Sequence, residues 1–568
     1  MSDIYDLVIV GAGAAGMSAA LTAHHLGLRV LIVEKTSWIG GSTAYSGGAT
    51  WIPNNPHQVA AGAEEPTQQA LDYLHHEIGN HGRPELWRAF LRAGPEMVRF
   101  MEAHTHLKFS VRPVAPDYHP DQPGAALGYR VLDPLDFDGR LLAGRLRLIR
   151  PPIREFTTFG GMMVGRADIP HMFNLMNSPK SALHAVGILA RHVRDLAVHR
   201  RATRLVLGSA MVGRLAASVF ERDIQVLINT RADRLVVTNG AVTGIEIAEA
   251  DGRRIITARR GVVLAGGGAP HSAELAGVLH PHDAQLGHWS MSPVDNTGDS
   301  VELAKAVGVR PDTGNAEPLF YAPVSLLPQT DGSSRPFPHL FLDRAKPGIV
   351  AIDGRGRRFV NEAASYHDFV SAMLGKGATQ PEAPFWLLAN HAALRRYGLG
   401  AVRPSPASLA SYVRSGYLKR ARSIEELAGI IQVDSQTLVA TIERLNHFAQ
   451  TGEDTDFGKG STAYNRYLGD PSVIPNPCLA PWEAGPYYAV RLYPGDIGAS
   501  IGLPIDAAAR VLSSDGRAVD GLFACGNDAN SIMGGRYPAA GITLGPALTF
   551  GYIAAHSAAG SDDWRLDD

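Results

Sequence analysis

Gly11-Ala12-Gly13-Ala14-Ala15-Gly16 stands between two apolar runs, Leu7-Val8-Ile9-Val10 and Val30-Leu31-Ile32-Val33, and Glu34 directly follows the second. The apolar runs read as buried parallel strands, and Ala14 to Leu26 reads as the helix between them. Gly11 permits the tight turn, Gly13 lets the backbone approach a pyrophosphate, and Gly16 lets helix and strand pack closely. The helix amino end then faces the phosphates, and Glu34 accepts hydrogen bonds from a ribose. Glycine-rich turns also serve plain packing. Here the strand before, the helix after and the acid at the right distance favour a dinucleotide site.

The following stretch, Lys35 through Gly48, contains Gly40-Gly41-Ser42-Thr43 and then Ser46-Gly47-Gly48. Small residues let the chain run along a pyrophosphate, with backbone N–H and hydroxyl groups as donors. An acid, a Gly-Gly-Ser/Thr turn and a Ser-Gly-Gly in this order resemble the flavoproteins of the fumarate reductase and ketosteroid dehydrogenase superfamily. The resemblance implies FAD, with Lys35, Gly41, Ser42, Thr43, Ser46, Gly47 and Gly48 beside it. Members that bind flavin covalently use a His in this turn. None stands between His25 and His57, so the expected attachment is non-covalent.

At 568 residues, 45% hydrophobic and 19% charged, the chain is long enough for two or more substructures with large cores. Lys+Arg 53 against Asp+Glu 55 gives no bias toward nucleic acid. Two cysteines, Cys478 and Cys525, are too few for a disulfide framework or a metal cluster and read as small buried hydrophobes. The fingerprint strand begins almost at Met1, and no apolar run is long enough to span a bilayer. A cytoplasmic protein, soluble or peripheral, is the expectation.

Two further pieces of the nucleotide fold return late. Ile224 to Glu249 alternates like a β-meander, and Arg260-Gly261-Val262-Val263-Leu264-Ala265-Gly266-Gly267-Gly268 is a strand running into a glycine turn. Gly521-Leu522-Phe523-Ala524-Cys525-Gly526-Asn527 is another strand ending in a turn, and Gly541-Ile542-Thr543-Leu544-Gly545-Pro546-Ala547 opens an apolar helix to about Ala558. The resemblance places Ala265, Gly266 and Gly267 at the adenosine half of FAD. It places Gly526, Asn527, Leu544, Gly545, Pro546 and Ala547 at the ribityl chain and flavin pyrimidine edge. The expected fold is α/β: a discontinuous Rossmann-type FAD-binding domain, residues 1–285 and 485–568, with an inserted α+β catalytic domain, residues 286–484.

Met533-Gly534-Gly535-Arg536-Tyr537-Pro538-Ala539-Ala540-Gly541, ahead of Thr543-Leu544-Gly545-Pro546-Ala547, resembles the 3-ketosteroid Δ1-dehydrogenases. The resemblance implies that the Tyr537 hydroxyl and the Gly541 N–H both donate to the C3 carbonyl oxygen of a steroid. Two donors aimed at one oxygen stabilise the enolate formed when the neighbouring carbon loses a proton. The Asn-Glu-x-x-x-Tyr pattern ending at Tyr366 matches the family's proton-abstracting tyrosine. Pro116-Asp117-Tyr118 matches the tyrosine that hydrogen-bonds that base. A free phenol has a pKa of about 10, so Tyr366 needs neighbours that favour its phenolate.

Fumarate reductases and succinate dehydrogenases carry a His-Thr-x-Gly-Gly segment and a later catalytic Arg. At the comparable places this chain has Gly495-Asp496-Ile497-Gly498-Ala499-Ser500-Ile501-Gly502 and Pro538. Without fixed cations there, dicarboxylate chemistry is disfavoured. Arg536, nearby but out of register, is expected to form a salt bridge or to stand at the site's mouth.

The segment from about Ala143 to Gly208 is absent from the shortest family members. Within it, Lys180 to Arg201 spaces Leu183, Val186, Ile188, Leu189, Val193 and Leu196 near helical periodicity, flanked by Arg191, Arg194, Arg200 and Arg201. This reads first as an amphipathic helix packed on the core. The alternative is a basic, apolar surface that sits on a membrane. Met162, Met163, Met172 and Met176 suit an adaptable apolar lining. His171, His184, His192 and His199 have no companion pattern for a metal. The resemblance therefore implies FAD-dependent 1,2-dehydrogenation of a 3-keto-4-ene steroid, with hydride passing from C1 to flavin N5 and electrons leaving to an external acceptor such as a quinone. The alternative is a flavin-dependent dehydrogenase or reductase acting on another ring position, such as Δ4-(5α), or on a non-steroid cyclic enone.

Overall fold

Leu7, Val8, Ile9 and the whole of Val30 to Val33 are buried because their strands lie inside a parallel arrangement covered on both faces. The computed structural model describes residues 3–173, 178–249 and 252–561. In it β1 (Ile4–Val10) leads through α1 (Ala14–His25) to β2 (Val30–Val33), the βαβ unit expected from the fingerprint. β3 (Gln225–Leu227) pairs parallel to the outer edge of β2. β4 (Arg231–Thr238), β5 (Ala241–Glu249) and β6 (Gly252–Leu264) follow as an antiparallel meander. β6 also runs parallel to β1, and its end takes β7 (Ala518–Ala524) on the other side. The order is β3-β2-β1-β6-β5-β4, with β7 beside β6.

The meander expected over 224–249 is thus split. Residues 225–227 extend the parallel sheet, because a short apolar strand flanked by loops can pair with either neighbour and β2 offers a buried edge. The C-terminal helix Leu544–Ala559 closes one face by packing on α1. The approach is near enough that a Cβ on Gly551 would lie 2.5 Å from the Ala15 carbonyl. Ser18 donates its hydroxyl to the Leu548 carbonyl at 2.7 Å, which joins the first and last helices among the described residues.

The second unit is built on a four-stranded antiparallel sheet in the order Ile349–Ile352, Phe385–Ala389, Tyr487–Leu492, Lys419–Ala421. Beside it, Gly495–Ala499 pairs with both Trp289–Ser290 and Leu319–Tyr321. The strands 487–492 and 495–499, which follow the break expected at residue 484, pair with strands that lie between residues 289 and 421.

The segment 143–208 carries α2 (Pro179–His199), and here the core-packed reading fails. Leu183, Val186 and Val193 are 74%, 60% and 59% exposed, while the buried residues of α2 are Ser181, His192 and Asp195. The polar side is turned inward because it is hydrogen-bonded there. Asp195 accepts from the Thr203 amide and hydroxyl at 3.0 and 2.7 Å, and His192 is 2.8 Å from the Phe159 carbonyl. Met162 and Met163 are buried but, like Met172, line no part of the central cavity; Met176 lies outside the described residues. Among the described residues no helix is long and apolar enough to cross a membrane.

Candidate active site

One continuous cavity of about 560 Å³ runs from the fingerprint to the tyrosines, within the size range of ligand sites. At its first end Gly11, with φ +107°, brings the turn against β6: a Cβ there would sit 2.2 Å from the Ala265 carbonyl. The Glu34 carboxylate accepts from the Ala12 amide at 3.1 Å and from the Thr36 amide and hydroxyl at 2.9 Å, which fixes it at the lip of the cavity. Gly13 precedes α1 with no side-chain cap of its own; the Ala14 amide donates to the Thr43 hydroxyl at 3.2 Å, and the amino end of the helix lines the cavity.

Gly13, Ala14, Ala15, Glu34, Lys35, Gly41, Ser42, Thr43, Ser46, Gly47, Gly48, Ala265, Gly266, Gly267, Gly526, Asn527, Leu544 and Ala547 all line this cavity with Gly11. Gly16, Gly545 and Pro546 do not. A Cβ on Gly16 would meet the Gly11 carbonyl at 2.1 Å, and one on Gly545 the Trp51 carbonyl at 2.4 Å, so both serve close packing. Pro546 lines a small separate cavity, because the first turn of the C-terminal helix turns it away. Arg536 is exposed, outside the lining, and forms no ion pair among the described residues: the turn closed by its amide to Met533 sends it outward.

Sequence reasoning missed several groups that organise this end. Asp528 accepts from the Gly268 amide at 2.7 Å, from the Gly266 amide and from the Ser300 hydroxyl, pinning the glycine turn after β6. Asn296 donates to Ser42 at 2.8 Å and to the Gly267 carbonyl at 3.1 Å, which ties the two glycine turns together. Arg150 pairs with Asp295 at the same end, and Asp299 pairs with Lys35, which was itself expected beside the cofactor. None of these has a local signature, since each partner is distant in sequence.

At the other end the cavity is walled by Tyr118, Tyr366, Tyr537 and Gly541. The Tyr118 and Tyr366 hydroxyls are 3.3 Å apart, with Tyr118 donating. The Tyr537 ring stacks on Tyr118 at 5.8 Å and meets Tyr366 edge-on at 5.1 Å. Residues far apart in the chain converge because each is anchored. The Tyr118 amide and the Tyr73 hydroxyl both donate to the Pro538 carbonyl, at 2.8 and 2.7 Å, which ties the Tyr118 loop to the Tyr537 loop. Asp117 is held by the Trp51 indole and by Arg130, whose guanidinium is fully buried and also bonds Glu65.

Tyr366 opens the helix Tyr366–Met373 behind the N-cap Ser365. The Asn-Glu of the motif acts on the turn before it. Glu362 is gripped by Arg358, and Asn361 donates to Asn465 at 2.9 Å, which in turn donates to the Ala363 carbonyl at 3.0 Å. Gly541, with φ +95°, packs so closely that a Cβ would lie 2.7 Å from the Thr50 and Trp51 amides. Its carbonyl accepts from Trp51 at 3.1 Å and Gly545 at 2.9 Å, which fixes the peptide's orientation.

Burial pushes the Tyr366 and Tyr118 phenols well above their usual pKa. Close by, burial lowers the His119 imidazole less than Asp368 and Glu77 raise it, so it is pushed up to about 11. Burial alone would raise Asp368, but His119 holds it down at about 2. His367 is pushed down to about 4 by burial and stays neutral.

The model of the FAD binding domain family matches residues 6–544. A 3-oxosteroid 1-dehydrogenase of Mycolicibacterium smegmatis is 35% identical over 575 residues, covering 97% of this chain and 96% of that one. The chain belongs to the 3-ketosteroid Δ1-dehydrogenase family of FAD-dependent flavoproteins. A second relative, the 4-oxocyclohex-2-ene-1-carboxylate 5-dehydrogenase of Sinomonas cyclohexanicum, is 37% identical, covering 98% of this chain and 93% of that one. The solved 3-ketosteroid delta1-dehydrogenase from Sterolibacterium denitrificans in complex with 1,4-androstadiene-3,17-dione superposes with a TM-score of 0.90 at 34% identity, covering 98% of this chain and all of that one.

The protein is an FAD-dependent oxidoreductase of this family, and its lining fits the cofactor. A Cβ on Gly41 or Gly47 would meet nothing within 4 Å and on Gly13 only Thr43 at 3.9 Å, so the cradle is open where a dinucleotide runs. No described residue lining the cavity is a histidine or cysteine that would bond the flavin covalently. Acid precipitation of the purified yellow protein should release all the flavin into the supernatant as FAD. Colour retained on the pellet would overturn the non-covalent assignment.

Proposed function

We propose that the enzyme removes two hydrogens from adjacent ring carbons of a 3-keto-4-ene steroid, forming the C1=C2 bond. The observation that carries this reading is the convergence of Tyr118, Tyr366, Tyr537 and Gly541 on the cavity that begins at the dinucleotide fingerprint. Tyr537 and the Gly541 amide hold the ketone oxygen and stabilise the enolate as it forms. Tyr366, as phenolate, takes the acidified α-proton, with Tyr118 donating to its oxygen. Bound FAD supplies the hydride acceptor at N5, and an external acceptor such as a quinone removes the electrons. Anaerobic mixing with 4-androstene-3,17-dione should bleach the flavin and yield the 1,4-diene. Bleaching without a 1,4-diene would move the reaction to another ring position.

A second reading is favoured by Arg166, a cyclic keto acid smaller than a steroid. The acids that line the cavity, Glu34, Asp295, Asp299 and Asp528, belong to its dinucleotide end. At the tyrosine end Arg112 is paired with Asp133, and Lys346 bonds the Leu468 and Gly469 carbonyls. Arg166, exposed at the mouth, contacts the Tyr467 hydroxyl and no carboxylate among the described residues. A guanidinium there suits a substrate carboxylate. Faster bleaching by 4-oxocyclohexanecarboxylate than by the steroid, lost in Arg166→Met, would select this reading.

We also assign α2 to a membrane surface. Its outward apolar ridge is flanked by Lys180 and Arg194, Arg191 lies beside Asp138 and Asp195, and its one acid, Asp195, is buried. A basic helix with an exposed apolar face suits the boundary of anionic lipid, where a water-insoluble substrate is held. Vesicles containing phosphatidylglycerol should co-sediment the protein, and Leu183→Glu with Val193→Glu should abolish this while leaving turnover of dispersed substrate unchanged. Equal sedimentation of the variant would remove the assignment.

A further inference from the structure

Two buried groups beside the tyrosines have no role in the reaction as described, and each is anomalous on its own. Arg344 is 2% exposed, and its hydrogen bonds run to the carbonyls of His339, Leu340, Glu362 and Ala364 at 2.8 to 3.1 Å. The nearest carboxylates are engaged elsewhere. Asp343 bonds His339 and the Gly400 and Arg344 amides, and Glu362 bonds Arg358, Lys459 and the Ala351 amide. Tyr464 is the second group. Its ring lies 4.6 Å from Tyr118, it lines the cavity, and its buried hydroxyl meets the criteria for no hydrogen bond among the described residues. A buried cation with no counter-ion in contact and a buried hydroxyl with no acceptor are each costly.

One added charge resolves both. We propose that Tyr118, Tyr366 and Tyr464 share a single negative charge in the working enzyme, with Arg344 as its counter-ion. Arg344 and Tyr464 are then positioning residues for the base. Arg344 also pins the Glu362 and Ala364 carbonyls, in the turn that presents Tyr366. Before turnover one phenolic proton is lost to water. In turnover the substrate α-proton moves to the Tyr366 oxygen, the C–H electron pair enters the enolate, and the cluster becomes neutral until that proton returns to solvent.

Among the other charges around the cluster, Lys346 bonds the Leu468 and Gly469 carbonyls and Arg166 the Tyr467 hydroxyl; neither bonds the turn that presents Tyr366, as Arg344 does. Arg112 is bound to Asp133, and His119 lies between Glu77 and Asp368. Arg358 and Lys459 face Glu362 and Asp454, His339 faces Asp343, and His367 is neutral. Burial raises the phenols, so an opposing cation is what a phenolate at workable pH requires.

The inference rests on Tyr366 as the base, and the test separates the two. The pH dependence of C2 proton exchange into deuterated water is measured on the FAD-bound enzyme with 4-androstene-3,17-dione. Arg344→Gln should move the midpoint up by about 1–3 pH units, and Arg344→Lys should restore most of it. Tyr464→Phe should move it the same way by less, with flavin content unchanged. Rates lowered equally at every pH, with unmoved midpoints, would overturn the shared charge and leave only a packing role. Should Arg344→Gln fail to fold, an unmoved midpoint in Tyr464→Phe suffices to overturn it. Failure of the base assignment itself looks different: Tyr366→Phe would then exchange at the parent rate.

Discussion

Tyr366→Phe is expected to bind steroid normally, yet to exchange no C2 proton with deuterated water and to leave the flavin oxidised. The substitution keeps the ring, which is 3% exposed and packed against Tyr537 and Phe341, and deletes only the oxygen proposed to take the proton. Loss of a general base costs about 10²–10⁴-fold or more in rate. Exchange isolates enolisation from hydride transfer, so a failure at either step is visible separately. Tyr118→Phe is a graded version of the same experiment. It removes the donor 3.3 Å from Tyr366, so the phenolate becomes harder to form and the rate profile moves toward higher pH. The sign follows from the form proposed to be active: burial already raises the Tyr366 phenol, and with a phenolate base the rate is present only where a fraction of it is ionised. Parent-rate exchange by Tyr366→Phe would exclude Tyr366 as the base, even with the family assignment intact.

The parts of this site that were legible in sequence are those where chemistry and local backbone coincide. Gly11 and Gly16 stand at fixed spacing because a turn and a helix–strand contact both exclude a Cβ, and the structure places backbone carbonyls within 2.2 Å of those positions. The Asn361-Glu362 pair precedes Tyr366 at short range because its side chains brace the turn before the helix. Arg344, Tyr464, Asn296 and Asp528 lack any such pattern. Asn296 reaches Ser42 across 254 positions and Asp528 reaches Gly268 across 260, so only the tertiary fold brings them together.

Periodicity also has a blind side. The spacing of Leu183, Val186, Leu189 and Val193 places them on one face of a helix but does not say which face turns inward. The anchors that decide it, Thr203 on Asp195 and Phe159 on His192, lie outside the helix. The pairing of the strands 487–492 and 495–499 is illegible for a related reason: their partners, Phe385–Ala389 and Leu319–Tyr321, are distant in sequence and composition does not name them.

Tyr537→Phe should leave flavin content unchanged and lower the rate of flavin reduction by about a hundredfold, on the order of 3 kcal/mol in transition-state stabilisation. The hydroxyl is one of two donors proposed for the ketone oxygen, and donors of this kind matter most as charge develops, so kcat should fall far more than KM rises. The ring itself is well supported without the oxygen: it stacks on Tyr118 and meets Phe320 edge-on at 5.5 Å, and the backbone around it is held through Pro538. Gly541 offers no comparable single-atom change, since any side chain there would strike the Ala49–Trp51 backbone. A substrate analogue supplies the complementary test. A 3-hydroxysteroid in place of the ketone has no carbonyl for Tyr537 to polarise, so the parent and Tyr537→Phe should both leave the flavin oxidised with it. Near-parent turnover of the 3-ketone by Tyr537→Phe would take the hydroxyl out of the mechanism and leave the Gly541 amide as the sole donor to that oxygen.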